Sequence, residues 1–138
     1  MYENPYQRYR QVQLETASPL ELIIKLYEGA LRFINLAKKG LDDRDYQLVN
    51  NSLQRAQAIV NELNLSLNMD YEISHNLREL YMFINRTLIE ANIAKDGRKL
   101  DAVIEMLNSL KDAWVQINEE TKIKAVSANE HGRKRQLP

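Results

Sequence analysis

The chain has 138 residues, which is enough for one domain with a buried core, and its formal net charge is zero. The lack of cysteine excludes disulfides and thiolate metal sites, and no apolar run approaches the ~18 residues that a membrane-spanning helix needs. We find no secretory signal pattern, so we expect the protein to stay in the compartment where it is made.

Charge is distributed unevenly along the chain. Residues 1–17 are neutral, residues 18–121 carry a net charge of −4, and residues 122–138 carry +4. An acidic body binds nucleic acid poorly, so we expect no nucleic-acid partner, and a short basic run is usually only solvated. The three ranges predict an N-terminal arm that bears tyrosines, a folded body and a flexible basic tail.

The first predicted helix begins at a capping box. Ser18 is the expected N-cap, Pro19 occupies the first helical position, and Glu21 follows Ser18 by three residues. Apolar residues then recur at helical spacing to about Gly40. The stripe expected to face a core is Leu20, Ile23, Ile24, Tyr27, Ala30, Leu31, Ile34 and Ala37.

Three further segments show the same helical period. Asp42 or Asp43 is the expected cap of the second helix, and Gly97 is expected to end the third. The predicted core stripes are Val49, Leu53, Ala56, Val60 and Leu63; then Ile73, Leu77, Leu80, Ile84, Leu88 and Ala91; then Leu100, Val103, Leu107, Leu110, Trp114 and Ile117. Since no segment alternates like a strand and the connections are short, we predict an all-α protein, an antiparallel up-down four-helix bundle over residues 18–121.

The first predicted helix has more apolar surface than one packing face needs. Leu22, Leu26 and Phe33 form a second ridge beside the main stripe, and the two together span roughly 200° where a bundle helix needs ~100°. Neighbouring helices share this ridge, or the N-terminal arm folds over it, or a partner helix binds there. Tyr6 and Tyr9 in the arm suit a removable cover, because tyrosine covers apolar area while its hydroxyl stays in water.

One motif invites an enzymatic interpretation. Glu72 and His75 have the Glu-x-x-His spacing of di-iron bundles, but such a site needs a second copy of the motif and two further glutamates. The only other histidine is His131, in the tail. The sequence also lacks a glycine-rich phosphate loop and a nucleophile elbow. We therefore predict no metal, no cofactor and no enzymatic activity.

Several short blocks occur in the order in which one protein family has them. NPYQRY at residues 4–9 is followed by TASPLEL at 16–22 and LYEGALRF at 26–33. Further blocks stand at residues 53–67, 76–81, 90–96 and 112–114. Together they resemble the FliS family, the flagellar secretion chaperones that bind flagellin, over most of residues 4–117.

The resemblance implies a cytoplasmic four-helix chaperone that is not an enzyme. Its expected client is the C-terminal segment of flagellin, disordered before export, which the chaperone keeps from premature polymerisation and holds ready for export. The flagellar export gate is a further expected partner, and stable membrane insertion is not expected. A homodimer that buries the second ridge in a self-complementary interface is the alternative.

The residues expected to contact the client come from the arm, the second ridge and the second helix. They are Tyr6, Tyr9, Leu22, Leu26, Tyr27, Phe33, Arg55, Ile59 and Leu63. Arg55 is expected either to pair with a client carboxylate or carbonyl or to form a weak ion pair on the bundle surface. The arm is expected to act as a lid over the groove, as a clamp on the client, or as a hydrophobic staple of the first helix.

Overall fold

Four α-helices account for nearly all of the residues that the structure, a computed structural model, describes. It describes residues 18–136, with side chains as far as Ala128. The helices are α1 (Pro19–Asp42), α2 (Tyr46–Leu65), α3 (Glu72–Ala94) and α4 (Gly97–Gln136). The predicted all-α class is confirmed, and the arm residues Tyr6 and Tyr9 lie outside the described residues.

The capping box predicted for the first helix is present. The Ser18 hydroxyl accepts a hydrogen bond from the Glu21 backbone N–H at 3.2 Å, and the Glu21 carboxylate accepts one from the Ser18 N–H at 3.5 Å. Pro19 occupies the first helical position, where its missing N–H leaves no intrahelical bond unmade. The start of α1 is therefore fixed by local chemistry alone.

The cap predicted for the second helix was wrong by two or three residues. Because α1 runs through Asp42 and the chain reverses at Arg44 in a left-handed conformation (φ 55°), the residue before α2 is Asp45. The Asp45 carboxylate accepts a hydrogen bond from the Leu48 N–H at 3.1 Å. Asp43 precedes Leu48 by five residues, too many for this capping bond.

The stop predicted at Gly97 was also wrong. Lys95 adopts the left-handed conformation (φ 52°) at the end of α3, and Gly97 is the first residue of α4. The Asp96 carboxylate accepts a hydrogen bond from the Arg98 N–H at 2.9 Å at the start of this last helix. The reversal is tighter than the sequence suggested because a lysine, and not the glycine, takes the left-handed turn.

Ion pairs between α1 and α4 show the relative direction of these two helices. Lys38 near the end of α1 pairs with Asp101 near the start of α4 at 2.5 Å, and Glu21 at the start of α1 pairs with Lys122 at 3.5 Å. The two helices are therefore antiparallel. α1 packs against α2 and α4, and α3 packs against the same two helices, as an up-down four-helix bundle requires.

The predicted core stripes supply most of the buried side chains. The buried apolar residues are Tyr27, Ala30, Leu31, Ile34, Ala37, Val49, Leu53, Ala56, Val60, Leu63, Tyr81, Ile84, Leu88, Ala91, Leu100, Val103 and Leu107. Two predicted core residues are exposed instead, Ile73 at 65% and Ile117 at 44%. Ile73 lies in the first turn of α3, where Ser74 faces inward in its place.

The fourth helix is much longer than the bundle that it completes. It has 40 residues and α1 has 24, which correspond to ~60 Å and ~36 Å. Side chains from residue 119 to residue 128 are all exposed, since α1, α2 and α3 do not extend far enough to cover them. Ile117 is also exposed, although α1 runs beside this part of α4, where Trp114 bonds to Tyr27 and Lys122 pairs with Glu21. The segment predicted as a separate tail from residue 122 thus continues α4 to Gln136.

Candidate functional site

An open groove of about 650 Å³ lies between α1 and α2, and we call it the α1–α2 groove. Its lining residues are Phe33, Leu36, Leu48, Asn51, Ser52, Gln54, Arg55 and Ala58. Phe33, Leu36 and Leu48 supply the apolar surface, and amides and one guanidinium surround it. This combination suits an amphipathic peptide better than a small polar ligand.

The second ridge of α1 leads into this groove. Leu22, Leu26, Phe33 and Leu36 follow one face of α1 at helical spacing, and they stay partly accessible after the bundle has packed. Gly29 lies on the same face, where a Cβ atom would be 3.3 Å from the Ile59 side chain. The Ile59 side chain of α2 therefore packs closely on α1 at this glycine.

Two of the predicted contact residues do not lie on this surface. Tyr27 and Leu63 are 0% and 1% exposed, and both belong to the core. Tyr27 lies on the main stripe of α1, which faces the other helices, and Leu63 lies on the stripe of α2 that faces them too. A client cannot contact either side chain unless the bundle opens, so both are withdrawn from the predicted contact surface.

The structure brings Phe33 of α1 and Arg55 of α2 together. The Arg55 guanidinium carbon lies 5.5 Å from the centre of the Phe33 ring, and that of the neighbouring Arg32 lies 5.4 Å from it. Both distances are within the range of a cation–π contact. The Arg32 contact was not predictable from the sequence, because the side chains of adjacent helical residues usually point apart. Leu36 could have been found, since it follows Phe33 by three residues.

A cluster of three aromatic side chains ties α1, α3 and α4 together inside the bundle. The hydroxyls of Tyr27 and Tyr81 lie 2.5 Å apart, and the Trp114 indole N–H donates to the Tyr27 hydroxyl at 3.3 Å. Burial raises the pKa of both tyrosines, so both are neutral at physiological pH. The cluster is therefore a structural hydrogen-bond network and offers no ionised group for catalysis.

A second groove, of about 460 Å³, lies between α2 and α3 and has a different lining. The Asn85 amide donates to the Asn61 side-chain oxygen at 2.6 Å, and the side-chain oxygens of Asn64 and Asn85 are buried without a hydrogen-bond partner. Met82 and Ile89 are exposed along its edge. Four amide side chains belong to this lining, but apolar atoms supply most of its accessible surface, so this groove is also open to an apolar helix face.

The described residues offer no sign of a metal centre or a membrane segment. Among them, no group of three histidine or acidic side chains is arranged to hold a metal ion. His75 is exposed at the start of α3. Within the same part of the chain, none of the helices combines the length and the apolar character needed to cross a bilayer.

Comparison with known proteins gives one consistent match. The protein-family model described as "FliS: Flagellar protein FliS" matches residues 2–121. The flagellar secretion chaperone FliS of Bacillus subtilis is 39% identical over 114 residues, which cover 83% of this chain and 86% of that protein. The flagellar secretion chaperone FliS of Salmonella typhimurium is 33% identical over 117 residues, which cover 80% of this chain and 87% of that protein.

The fold comparison finds a structure whose title also names a flagellar chaperone. A solved structure titled "Crystal structure of flagellar chaperone from bacteria" superposes with a TM-score of 0.71 at 25% sequence identity. The superposition covers 83% of this chain and 95% of the other. Sequence and fold therefore agree over the helical bundle.

Proposed function

This chain belongs to the FliS family of flagellar secretion chaperones, and from that premise we propose that it binds the C-terminal segment of flagellin. Binding would cover the apolar face through which that segment packs in the filament. Flagellin would thereby be kept from polymerising before export and be held in a form that the export machinery accepts. The same proposal places the protein in the cytoplasm, gives it no catalytic role, and makes the export gate its second partner.

The single observation that carries the site of binding is the α1–α2 groove. Phe33, Leu36 and Leu48 supply its apolar surface, and Leu22 and Leu26 stay partly accessible on the same face of α1, beyond the point where Ile59 packs on Gly29. A disordered client that folds onto such a surface loses conformational entropy, and burial of its apolar side chains offsets that loss. A long, open groove suits a client of this kind because many weak contacts can be made along its length.

The N-terminal arm is long enough to take part. It joins α1 at Ser18, and Phe33 lies 15 residues along the helix, about 22 Å away. Tyr6 and Tyr9 stand twelve and nine residues before Ser18, and extended chain of those lengths spans up to ~40 Å and ~30 Å, so both could reach Phe33. A lid that occupies the groove lowers the apparent affinity for flagellin by the fraction of time that the groove is closed.

Deleting residues 2–9 separates the three roles of the arm. A lid predicts tighter binding of flagellin, or faster association, with little loss of stability. A clamp predicts weaker binding with stability unchanged. A hydrophobic staple predicts a lower free energy of unfolding, with affinity reduced only through the smaller folded fraction.

The polymerisation of flagellin onto filament seeds tests the proposed function directly. Wild-type protein at a concentration equal to that of flagellin should stop filament growth, and Phe33→Ala should restore much of it. Phe83→Ala is a matched control, because Phe83 is half-exposed on α3 and also has an arginine, Arg86, 6.0 Å from its ring. Filament growth that is insensitive to the wild-type protein would contradict the proposal.

The homodimer alternative makes its own prediction in the same preparations. If the groove were an interface between two copies, light scattering would give twice the monomer mass, and Phe33→Asp would return the protein to monomers.

A further inference from the structure

Two positive charges lie against the Phe33 ring: Arg55 lines the α1–α2 groove, and Arg32 is the neighbour of Phe33 on α1. Arg32 and Arg55 are both exposed, and each guanidinium lies against Phe33. Among the described residues, the carboxylates that form ion pairs do so with other cations, and none is paired with Arg32 or Arg55. These charges belong to a helical body that is acidic overall, with a net charge of −4 over residues 18–121.

This arrangement is well suited to bind a carboxylate. A guanidinium that stacks on an aromatic ring uses its flat face and leaves the N–H groups at its edge free. The stacking also reduces the number of conformations that the long side chain has to lose when it binds a partner. A carboxylate placed between two such groups accepts charge-assisted hydrogen bonds, which are about twice as strong as neutral ones.

We propose that Arg32 and Arg55 select a client segment with an aspartate or glutamate beside the apolar side chain that covers Phe33. The inference rests on the proposed function and names the chemistry that this part of the groove recognises. An apolar client side chain lies on Phe33, and the adjacent carboxylate lies between the two guanidinium groups. The arginines thereby determine which residue of the client occupies the centre of the groove. Apolar contacts alone discriminate weakly between such binding registers.

The groove continues on both sides of Arg55, and this identifies the source of the carboxylate. Leu36 and Leu48 line it toward the α1–α2 turn, and Ala58 lines it in the opposite direction. A bound segment that fills the groove would therefore run past Arg55 both ways. The carboxylate belongs to a side chain within the segment, and the chain-terminal carboxylate is not the group recognised.

The test is a titration of the full chain with a peptide from the C-terminus of the same organism's flagellin, at low and at high salt. Arg55→Gln and Arg32→Gln should each weaken binding about tenfold and reduce its dependence on salt. Arg86→Gln is the matched control, since Arg86 also lies against a phenylalanine ring but on α3, and its affinity should stay within twofold of wild type. Far-ultraviolet circular dichroism should show the same helix content in all variants.

Peptide variants complete the test by locating the carboxylate. Each aspartate or glutamate of the peptide is changed to its amide in turn, and a further peptide carries an amidated C-terminus. One side-chain change should weaken binding to the wild type as much as Arg55→Gln does, and it should have little further effect on that variant. Amidation of the terminus should have no effect.

The outcomes separate this inference from the function on which it rests. If the wild type does not bind the peptide, the proposed function fails and the inference fails with it. If the wild type binds and the arginine variants bind equally well, only the inference fails. Coupling of Arg55 to the terminal carboxylate, or to none of the carboxylates, also overturns it.

Discussion

Replacing Tyr27 with phenylalanine removes one hydroxyl from the centre of the bundle, and Tyr81 and Trp114 each lose a hydrogen bond to it. Tyr81 is 2% exposed, and its hydroxyl loses its hydrogen bond of 2.5 Å. The Trp114 N–H, which is only partly buried, loses its acceptor at 3.3 Å. A buried polar group without a partner costs about 1–3 kcal/mol. We therefore expect Tyr27→Phe to lower the free energy of unfolding by about 2 kcal/mol.

The companion variants have a defined order. Tyr81→Phe removes one bond and leaves Tyr27 bonded to Trp114, so we expect a loss of about 1 kcal/mol. The double variant has no unpaired hydroxyl, and we expect it to lose about 2 kcal/mol, less than the two single losses together. Tyr46→Phe is the control and should change nothing, because Tyr46 is half-exposed at the start of α2.

Urea unfolding followed by circular dichroism measures these differences. With a slope of about 2 kcal/mol per molar urea, Tyr27→Phe should lower the midpoint by about 1 M and Tyr81→Phe by about 0.5 M. The reasoning would be refuted by strictly additive losses in the double variant, or by a Tyr27→Phe midpoint equal to that of the Tyr46→Phe control.

Three further predictions concern pH, a tight helix crossing and a helix cap. Because burial raises the folded-state pKa of Tyr27 and Tyr81, the free energy of unfolding should be constant up to pH ~10 and fall as the pH rises further. In urea titrations at alkaline pH, the double phenylalanine variant should lose less of its free energy of unfolding than the wild type does. Gly40→Ala should cost about 1–3 kcal/mol in urea unfolding, since its Cβ would lie 2.9 Å from a neighbouring side chain, whereas Gly97→Ala, with 3.6 Å, should cost nothing. Asp45→Ala should lower the thermal midpoint by an amount equivalent to about 1 kcal/mol, because the α2 cap is lost.

Local chemistry explains why the start of α1 was predictable. Ser18, Pro19 and Glu21 satisfy one another's backbone groups within a single turn, so no distant residue affects the outcome. The buried faces of α1 and α2 followed from spacing for a similar reason, since one helix face must be apolar wherever it packs.

Helix ends and the far end of the bundle depend on tertiary packing, and there the sequence was a weaker guide. The periodic pattern continues through Ile73 and Ile117, but it does not tell which turns have a neighbouring helix to cover them. Tyr81 was missed as a core residue because the adjacent Leu80 was assigned to the stripe, although Tyr81 also stands at helical spacing from Ile84 and Leu88. The residue that takes a left-handed turn was missed at Lys95 because a glycine stood two positions later.

The lining of the α1–α2 groove was predictable in part, for the same reason. Phe33 could be assigned to it from the width of the apolar surface on α1. Tyr27 was assigned to the surface as well, since sequence spacing does not separate two adjacent ridges of one helix. Leu48 became a groove residue only through the packing of α2 on α1, which brings the start of one helix beside the end of the other.

The measurement that tests the central claim most directly is calorimetric titration of the full chain with a flagellin C-terminal peptide of about 40 residues, at several temperatures. Saturable binding of one peptide per chain with a strongly negative heat-capacity change is the expected result, because it indicates apolar burial coupled to folding of the client. No saturable heat at about 50 µM, where a client of this kind should bind, would contradict the account and leave the bundle without the client proposed for it.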